Sequence, residues 1–117
     1  MLAKMSRFFI FICIVGFTSC GLKGIPVPQD KLDYVGYWKS SEMELSISKG
    51  GRVEYKRYSG GASKSISAPI QKFEGNNFVV GALGINTTFV VSVTPHQDST
   101  GIWKMTVDGV EVTRITN

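Results

Sequence analysis

The sequence is poor in the residues from which chemical sites are built, since its 117 residues include one histidine and two cysteines. A single histidine without cysteine or clustered carboxylates falls short of the three or four ligands of a metal site. No serine or cysteine stands in a pattern that pairs a nucleophile with an oriented base. We therefore expect no enzyme, no metal and no cofactor.

Charge is modest as well. The sequence has 13 Lys and Arg residues against 9 Asp and Glu residues, and Lys4 and Arg7 lie in the N-terminal stretch. Without these two, eleven basic residues face nine acidic ones, a net charge of +2. No basic cluster alternates with aromatic residues as a groove for nucleic acid requires, so we expect no nucleic-acid partner.

Long apolar runs are also missing. The longest, FFIFICIVGF at 8–17, has ten residues, whereas a membrane-spanning helix needs roughly 20. A basic start, this short run and the small residues Thr18 and Ser19 are typical of a secretory signal. Cys13 would leave with the signal, so the remaining chain would keep Cys20 alone and could form no internal disulfide. An ordinary cleavable signal with an incidental cysteine is the alternative.

The stretch FTSC at 17–20 resembles the lipobox of bacterial lipoproteins, in which two small residues precede an acylated cysteine. Phe17 departs from the leucine that is usual in that family. The resemblance implies a signal peptide at 1–19 and lipid attachment at Cys20, with the membrane as a partner through that lipid. Because Gly21 and not Asp follows, it also implies the outer membrane of the bacterial cell envelope, facing the periplasm.

The segment after the cysteine, GLKGIPVPQDKLD, contains two prolines and two glycines. Prolines disfavour helix and glycines loosen the chain. We therefore expect a flexible lipid-anchored tether at 20–33 and a folded domain at 34–117.

From residue 34 onward, apolar and polar residues alternate as in half-buried β-strands, and helical periodicity is absent. MELSIS places Met43, Leu45 and Ile47 on one face. Similar segments begin near residues 35, 53, 69, 77, 86, 101 and 110, and Asp108-Gly109 between the last two is a strong hairpin signal. About eight short antiparallel strands predict an all-β up-and-down barrel, because closure removes exposed edges. A β-sandwich is the alternative.

The tripeptide GYW at 36–38 resembles the Gly-x-Trp of calycins, the lipocalin and avidin-like barrels, where it opens the first strand. These families often place a basic residue near the end of the last strand, and Arg114 matches it. The resemblance implies that Trp38 and Arg114 pack together, which an even number of up-and-down strands would allow. Such a stack contributes about 0.5 to 2 kcal/mol. The alternative is a core tryptophan and a solvated arginine.

Two polar segments interrupt the predicted strands and are candidate interaction loops. One is the glycine-rich YSGGASKS at 58–65, and the other is TPHQDST at 94–100. The stretch YSGG resembles a loop of the small lipid-anchored barrels that inhibit lysozymes, although the disulfide often found there cannot form here. The candidate residues are Ser59, Gly60, Gly61, Ser63, Lys64, Ser65, His96, Gln97 and Asp98.

These features predict an envelope-anchored lipoprotein that acts as a non-catalytic protein-interaction or inhibitor-type binding module for a protein partner in the cell envelope. The alternative is a lipocalin-like carrier of a small apolar ligand. An eight-stranded barrel is only wide enough for side chains or one small ligand. A filled interior is favoured by the bulky inward candidates Trp38, Tyr55, Phe78 or Val79, Phe89 and Trp103.

Overall fold

The computed structural model describes residues 24–116, so the predicted signal peptide, the lipobox and Cys20 lie outside the described residues. One 3₁₀ helix, Gln29–Tyr34, precedes nine β-strands. The strands are β1 (Gly36–Lys39), β2 (Met43–Ile47), β3 (Arg52–Ser59), β4 (Ala62–Glu74), β5 (Asn77–Ala82), β6 (Ile85–Phe89), β7 (Val91–Gln97), β8 (Trp103–Val107) and β9 (Val110–Ile115).

All nine strands form one antiparallel sheet in the order β6-β5-β4-β3-β2-β1-β9-β8-β7. The sheet curls into a half-barrel, which confirms the prediction of a small all-β barrel fold. The first and last strands are neighbours, and Arg114 lies opposite Trp38 in their register. Residues 24–116 contain nine strands, one more than the eight predicted.

The additional strand arises from a break at Val90, inside a segment that the sequence predicts as one strand. Because every neighbouring pair is antiparallel, β6 and β7 run in the same direction although they occupy opposite edges of the sheet. Val90 alone separates them, and hydrogen bonds of 2.8 and 2.9 Å join its backbone to Asp108. The two edge strands of the sheet are therefore joined at Val90. Because they run in the same direction, together they take the place of one strand in an up-and-down order of eight.

The core lies inside the curl and is made by the alternate residues of each strand. β2 has the burial pattern that its sequence predicts, with Met43, Leu45 and Ile47 buried and the residues between them partly exposed. The side chains that are less than 2% exposed include Trp38, Met43, Leu45, Val53, Ile70, Phe78, Val80, Phe89, Met105, Val107 and Val112. Large aromatic and branched residues therefore fill the interior.

The β3–β4 hairpin is longer than the sequence indicates. Its ladder continues to the pair Ser59 and Ala62, with Gly60 and Gly61 as the two-residue turn. Both glycines have positive φ, 55° and 85°, as a type I′ turn requires. β4 begins at Ala62 and not near residue 69, and it has an irregularity between Ile70 and Lys72 before it pairs with β5.

The expected tether at 20–33 is wrong for most of its described length. Ile25 donates a backbone hydrogen bond to Ile70 at 2.9 Å, and Val27 donates one to Lys49 at 3.0 Å. Val27 is 6% exposed, and the 3₁₀ helix follows directly. The two prolines allow this extended segment to lie against the sheet, so the folded part begins at Ile25 and not near Tyr34.

Candidate functional site

Arg114 lies between two indole rings. Its Cζ atom is 4.8 Å from the ring centroid of Trp38 and 4.6 Å from that of Trp103. The guanidinium also donates a hydrogen bond to the backbone carbonyl of Asp33. The structure thus brings the two residues of the predicted pair together and adds a second indole that the sequence reasoning did not include.

The stack lies where β1, β9 and the 3₁₀ helix meet. Trp38 is fully buried, and its Nε1 atom donates to the Tyr34 carbonyl at 2.9 Å. Gly36 has φ of 148°, and a Cβ atom there would lie 3.1 Å from Arg114 Nε. Burial lowers the pKa of Arg114, but a guanidinium stays charged in proteins. We assign the stack to stability because both indoles and the 3₁₀ helix already occupy the faces of Arg114.

A groove of about 290 Å³ lies on the outer face of β1 to β4. Most of its lining comes from outward positions of these strands, where hydroxyl, carboxylate and amine groups alternate. The lining residues are Tyr37, Glu44, Ser46, Glu54, Tyr55, Lys56, Ser65, Ile66 and Ser67. The groove therefore combines polar groups with apolar surface, and Tyr37 is the tyrosine that lines it from an outward position.

Two phenol groups converge on one carboxylate in this groove. Tyr58 donates to Glu44 Oε2 at 2.8 Å, and Tyr37 donates to Glu44 Oε1 at 3.1 Å. These hydrogen bonds, with the nearby Lys39 and Lys56, lower the pKa of Glu44. The carboxylate in turn raises the pKa of Tyr58 through its hydrogen bond, and it also raises the pKa of Tyr37, where desolvation is the larger cause.

A second hydrogen-bond cluster lies beside it. Ser67 donates to Glu54 at 2.9 Å, and Arg52 contacts both Ser67 at 2.8 Å and Glu54 at 3.3 Å. A serine nucleophile needs an adjacent base that takes its proton. Here the neighbour is a carboxylate that is already paired with Arg52, so the arrangement suits recognition through hydrogen bonds better than acyl transfer.

The first predicted interaction loop is a hairpin tip. Ser59 ends β3, Gly60 and Gly61 form the turn, and the remaining candidates Ser63, Lys64 and Ser65 lie in β4. The prediction of a loop at 58–65 is therefore wrong beyond the two glycines, because Ala62 to Ser67 pair with β3. All six candidates remain exposed to solvent.

The second predicted loop is also shorter than expected. His96 and Gln97 belong to β7 and pair with Lys104 and Trp103. Only the turn that begins at Asp98 interrupts the strands. His96 is exposed, and its Nδ1 atom lies 3.0 Å from the Thr94 carbonyl.

Asp98 holds that turn closed. Its carboxylate accepts hydrogen bonds from the backbone N–H and the hydroxyl of Thr100, at 2.8 and 2.6 Å, and from the N–H of Ile102 at 3.1 Å. Lys104 contacts the other carboxylate oxygen at 3.1 Å. These contacts lower the pKa of Asp98. With its acceptor positions satisfied, Asp98 is a turn residue and a weak candidate for binding.

The two candidate segments are not brought together. The turn that begins at Asp98 precedes Trp103, which stacks on Arg114 near the Gly36 end of β1. The hairpin tip at Gly60 follows Tyr58, whose backbone N–H bonds to Glu42 beyond the other end of β1. A single partner surface therefore includes the hairpin tip and the adjacent groove, and not the histidine.

A smaller depression of about 240 Å³ lies between the 3₁₀ helix and the β4–β5 turn, lined in part by Asp30, Lys31, Asn76 and Thr94. Over residues 24–116 no group of three or more His, Cys, Asp or Glu side chains is placed to hold a metal ion. No helix in that same range is long and apolar enough to cross a membrane.

Comparison of the chain with known protein families, with curated proteins and with solved structures gave no match.

The sequence alone does not bring Glu44 together with the two tyrosines. Glu44 lies directly opposite Lys56 and Lys39 in the register, but its hydrogen bonds run diagonally to Tyr37 and Tyr58. Long side chains reach such diagonal neighbours across a sheet. The period-two pattern puts all three on the outer face, and only the strand register shows that they converge.

Proposed function

We propose that this protein is a lipid-anchored, non-catalytic binding module that recognises an extended polypeptide segment of a partner in the cell envelope. The groove on the outer face of β1 to β4 carries this proposal, because Tyr37 lines it and Tyr58 bonds to its residue Glu44. Tyrosine supplies large contact area at low entropic cost and is enriched in protein interfaces. The anchor part rests on the lipobox-like FTSC at 17–20.

The free edge of β4 supports an extended segment as the ligand. β5 pairs with β4 only from Ile70 to Glu74, and across residues 24–116 no strand pairs with that same edge between Ala62 and Ala68. An unpaired edge is a template for one more strand, and side-chain pockets beside it supply specificity. The groove lies beside this edge and shares Ser65 and Ser67 with β4.

The filled core supports this proposal over ligand carriage. A carrier needs an internal space that opens to solvent, whereas Trp38, Phe78 and Phe89 are at most 1% exposed inside the curl. The two depressions described above both lie outside the core. We expect an apolar dye such as a naphthalene sulfonate to show no saturable binding, and saturable one-to-one binding would favour the carrier.

Site-specific photo-crosslinking in the envelope tests the interaction. A photoreactive amino acid that replaces Ser65 should form a discrete protein adduct, because Ser65 is exposed, lines the groove and lies on the free edge of β4. The same group in place of Glu111, exposed on β9, should form none and serves as the matched control. Tyr58→Ala should weaken the Ser65 adduct without unfolding the chain, because Tyr58 is 38% exposed. Equal adducts at both positions would contradict the proposed surface.

The anchor is tested separately. Cys20→Ala should abolish labelling with radioactive palmitate and leave the precursor unprocessed in the membrane. If the variant matures normally to a protein with another N-terminal residue, the lipobox interpretation is wrong. Loss of the anchor alone would leave the crosslinking result intact, so the two parts of the proposal stand or fall independently.

A further inference from the structure

The tip of the β5–β6 hairpin exposes two large apolar side chains. Leu83 is 83% exposed and Ile85 is 79% exposed, the two highest values among the large hydrophobic residues at 24–116. The pair Ala82 and Ile85 closes a two-residue turn of Leu83 and Gly84. Water contacts both apolar side chains almost completely, which is unfavourable unless something else covers them.

The backbone at this tip is strained as well. Leu83 has φ of 56° and Gly84 has φ of 82°, so both turn residues have positive φ. Asn or Gly is favoured at the first position of such a turn, and a leucine there is uncommon. Backbone strain is concentrated at functional sites, so a strained apolar residue at an exposed tip is a candidate for binding.

The hairpin carries no charge. No charged residue stands between Glu74 and His96 in the sequence, whereas the β3–β4 hairpin includes Arg52, Glu54, Lys56 and Lys64. An apolar tip on an uncharged hairpin loses little hydration when it enters a lipid interface. Only the tip is suited to this, because β6 is an edge strand whose unpaired backbone groups would be costly inside hydrocarbon.

The chain enters the fold close to this tip. Ile25 donates to the Ile70 carbonyl, and Ile70 pairs on its other side with Val80. Ile25 and Val80 are therefore about two strand spacings, or about 10 Å, apart. Leu83 follows Val80 by three residues, which adds about 10 Å along the strand.

Gly24 is also four residues from Cys20. A fully extended chain covers at most about 3.6 Å per residue, so a lipid on Cys20 lies within about 14 Å of Gly24. The segment from Cys20 to Gly24 is therefore about as long as the distance from Ile25 to the tip of the β5–β6 hairpin. The tip of the β3–β4 hairpin is farther away, since Ala62 lies eight residues from Ile70 along β4, or about 27 Å.

We propose that Leu83 and Ile85 form a second membrane contact, in which the β5–β6 tip enters the headgroup region of the bilayer that holds the lipid of Cys20. This inference rests on the proposed anchor at Cys20. The contact orients the sheet relative to the bilayer, because a single lipid attachment permits rotation and two contacts restrict it. It leaves the β3–β4 hairpin free for the partner.

Lipid-depth quenching of tryptophan fluorescence tests the contact. The full chain, processed and acylated in cells, carries Ile85→Trp or Ala62→Trp and is reconstituted into phosphatidylcholine vesicles with or without a spin label near the lipid carbonyls. The native Trp38 and Trp103 give the same background in both variants. We expect the spin label to reduce the added emission of Ile85→Trp by about twofold or more and to leave that of Ala62→Trp nearly unchanged.

Charge provides a second readout. Because the hairpin is uncharged, the quenching of Ile85→Trp should not change with salt or with added anionic lipid, whereas an electrostatic contact would weaken in salt. Equal weak quenching of both variants on vesicles that still float with the protein would overturn the membrane contact and leave the anchor intact. Shielding of the Ile85→Trp indole from both lipid and aqueous quenchers would assign the tip to a protein instead.

If the full chain purified from cells does not float with the vesicles, the anchor is refuted and, with it, this inference. Both substitutions replace exposed side chains, and unchanged thermal unfolding by circular dichroism verifies that each variant is folded.

Discussion

Removal of the Arg114 guanidinium tests the idea that the stack joins the two ends of the described chain. Arg114→Met keeps most of the aliphatic stem but removes the charge from between the indoles of Trp38 and Trp103. The guanidinium is partly exposed, so its two cation–π contacts contribute about 0.5 to 1 kcal/mol each. The hydrogen bond to the Asp33 carbonyl involves a charged donor and contributes about 1.5 to 3 kcal/mol.

The expected loss in the free energy of unfolding is therefore about 2 to 4 kcal/mol, because the methionine side chain recovers part of the packing. For a domain of this size the melting temperature should fall by about 10 °C or more. Urea titration followed by tryptophan fluorescence measures it, and both tryptophans lie at the site of the change. Arg57→Met is the matched control: its contact with Glu42 is 4.0 Å long on the surface, and it should cost at most about 0.5 kcal/mol.

A double-mutant cycle separates the stack from other effects of the substitution. Combining Arg114→Met with Trp103→Leu should give a coupling energy of about 0.5 to 2 kcal/mol. Arg114→Lys should recover only part of the loss, because an ammonium lacks the planar face that stacks on an indole. A coupling energy of zero, or equal losses for Arg114→Met and Arg57→Met, would refute the reasoning.

Three further substitutions test local geometry. Gly36→Ala should destabilise the fold by about 1 to 3 kcal/mol in urea titration, because φ is positive and the added methyl group meets Arg114. Leu83→Asn should stabilise it by about 0.5 to 1 kcal/mol, since asparagine accepts positive φ and the leucine makes little contact; a loss of stability would show that Leu83 packs. Glu44→Gln should move the tyrosine absorbance titration to lower pH, as Tyr37 and Tyr58 lose the carboxylate that raises their pKa; an unchanged titration would contradict the hydrogen bonds. The pKa of Glu44 is lower in the folded state than in the unfolded state. Its contribution to stability is therefore present above the unfolded-state pKa and is lost as pH falls through the folded-state pKa. Glu44→Gln should remove this part of the loss of stability in acid.

The period-two pattern predicts the sheet because burial of one face decides which strands form. β2 alternates as MELSI predicts. The Asp108-Gly109 turn has φ of 48° and 80°, as its hairpin signal requires. These features are local, since each depends on residues that are close in sequence.

The features that the sequence did not predict depend on distant residues. The segment ASKSISA at 62–68 has weak alternation and many serines, and it becomes a strand because β3 lies beside it and pairs with it. The break at Val90 also depends on distant residues. Hydrogen bonds to Asp108 and the start of pairing with β8 divide one predicted strand into two. The convergence of Tyr37 and Tyr58 on Glu44 likewise needs the register of three strands.

The folded N-terminal segment changes how the proposed module reaches a partner. Thirteen flexible residues, Gly21 to Asp33, would let the domain move by about 20 Å on average from the lipid. Because Ile25 and Val27 are hydrogen-bonded to the sheet, the segment between Cys20 and Gly24 spans at most about 14 Å. With the proposed anchor, the part of the domain that extends toward a partner is then the β3–β4 hairpin, whose tip lies about 27 Å from Ile70 along β4. Because its strands are paired up to Ser59 and Ala62, this hairpin presents its free edge with less loss of conformational entropy than a domain on a long tether.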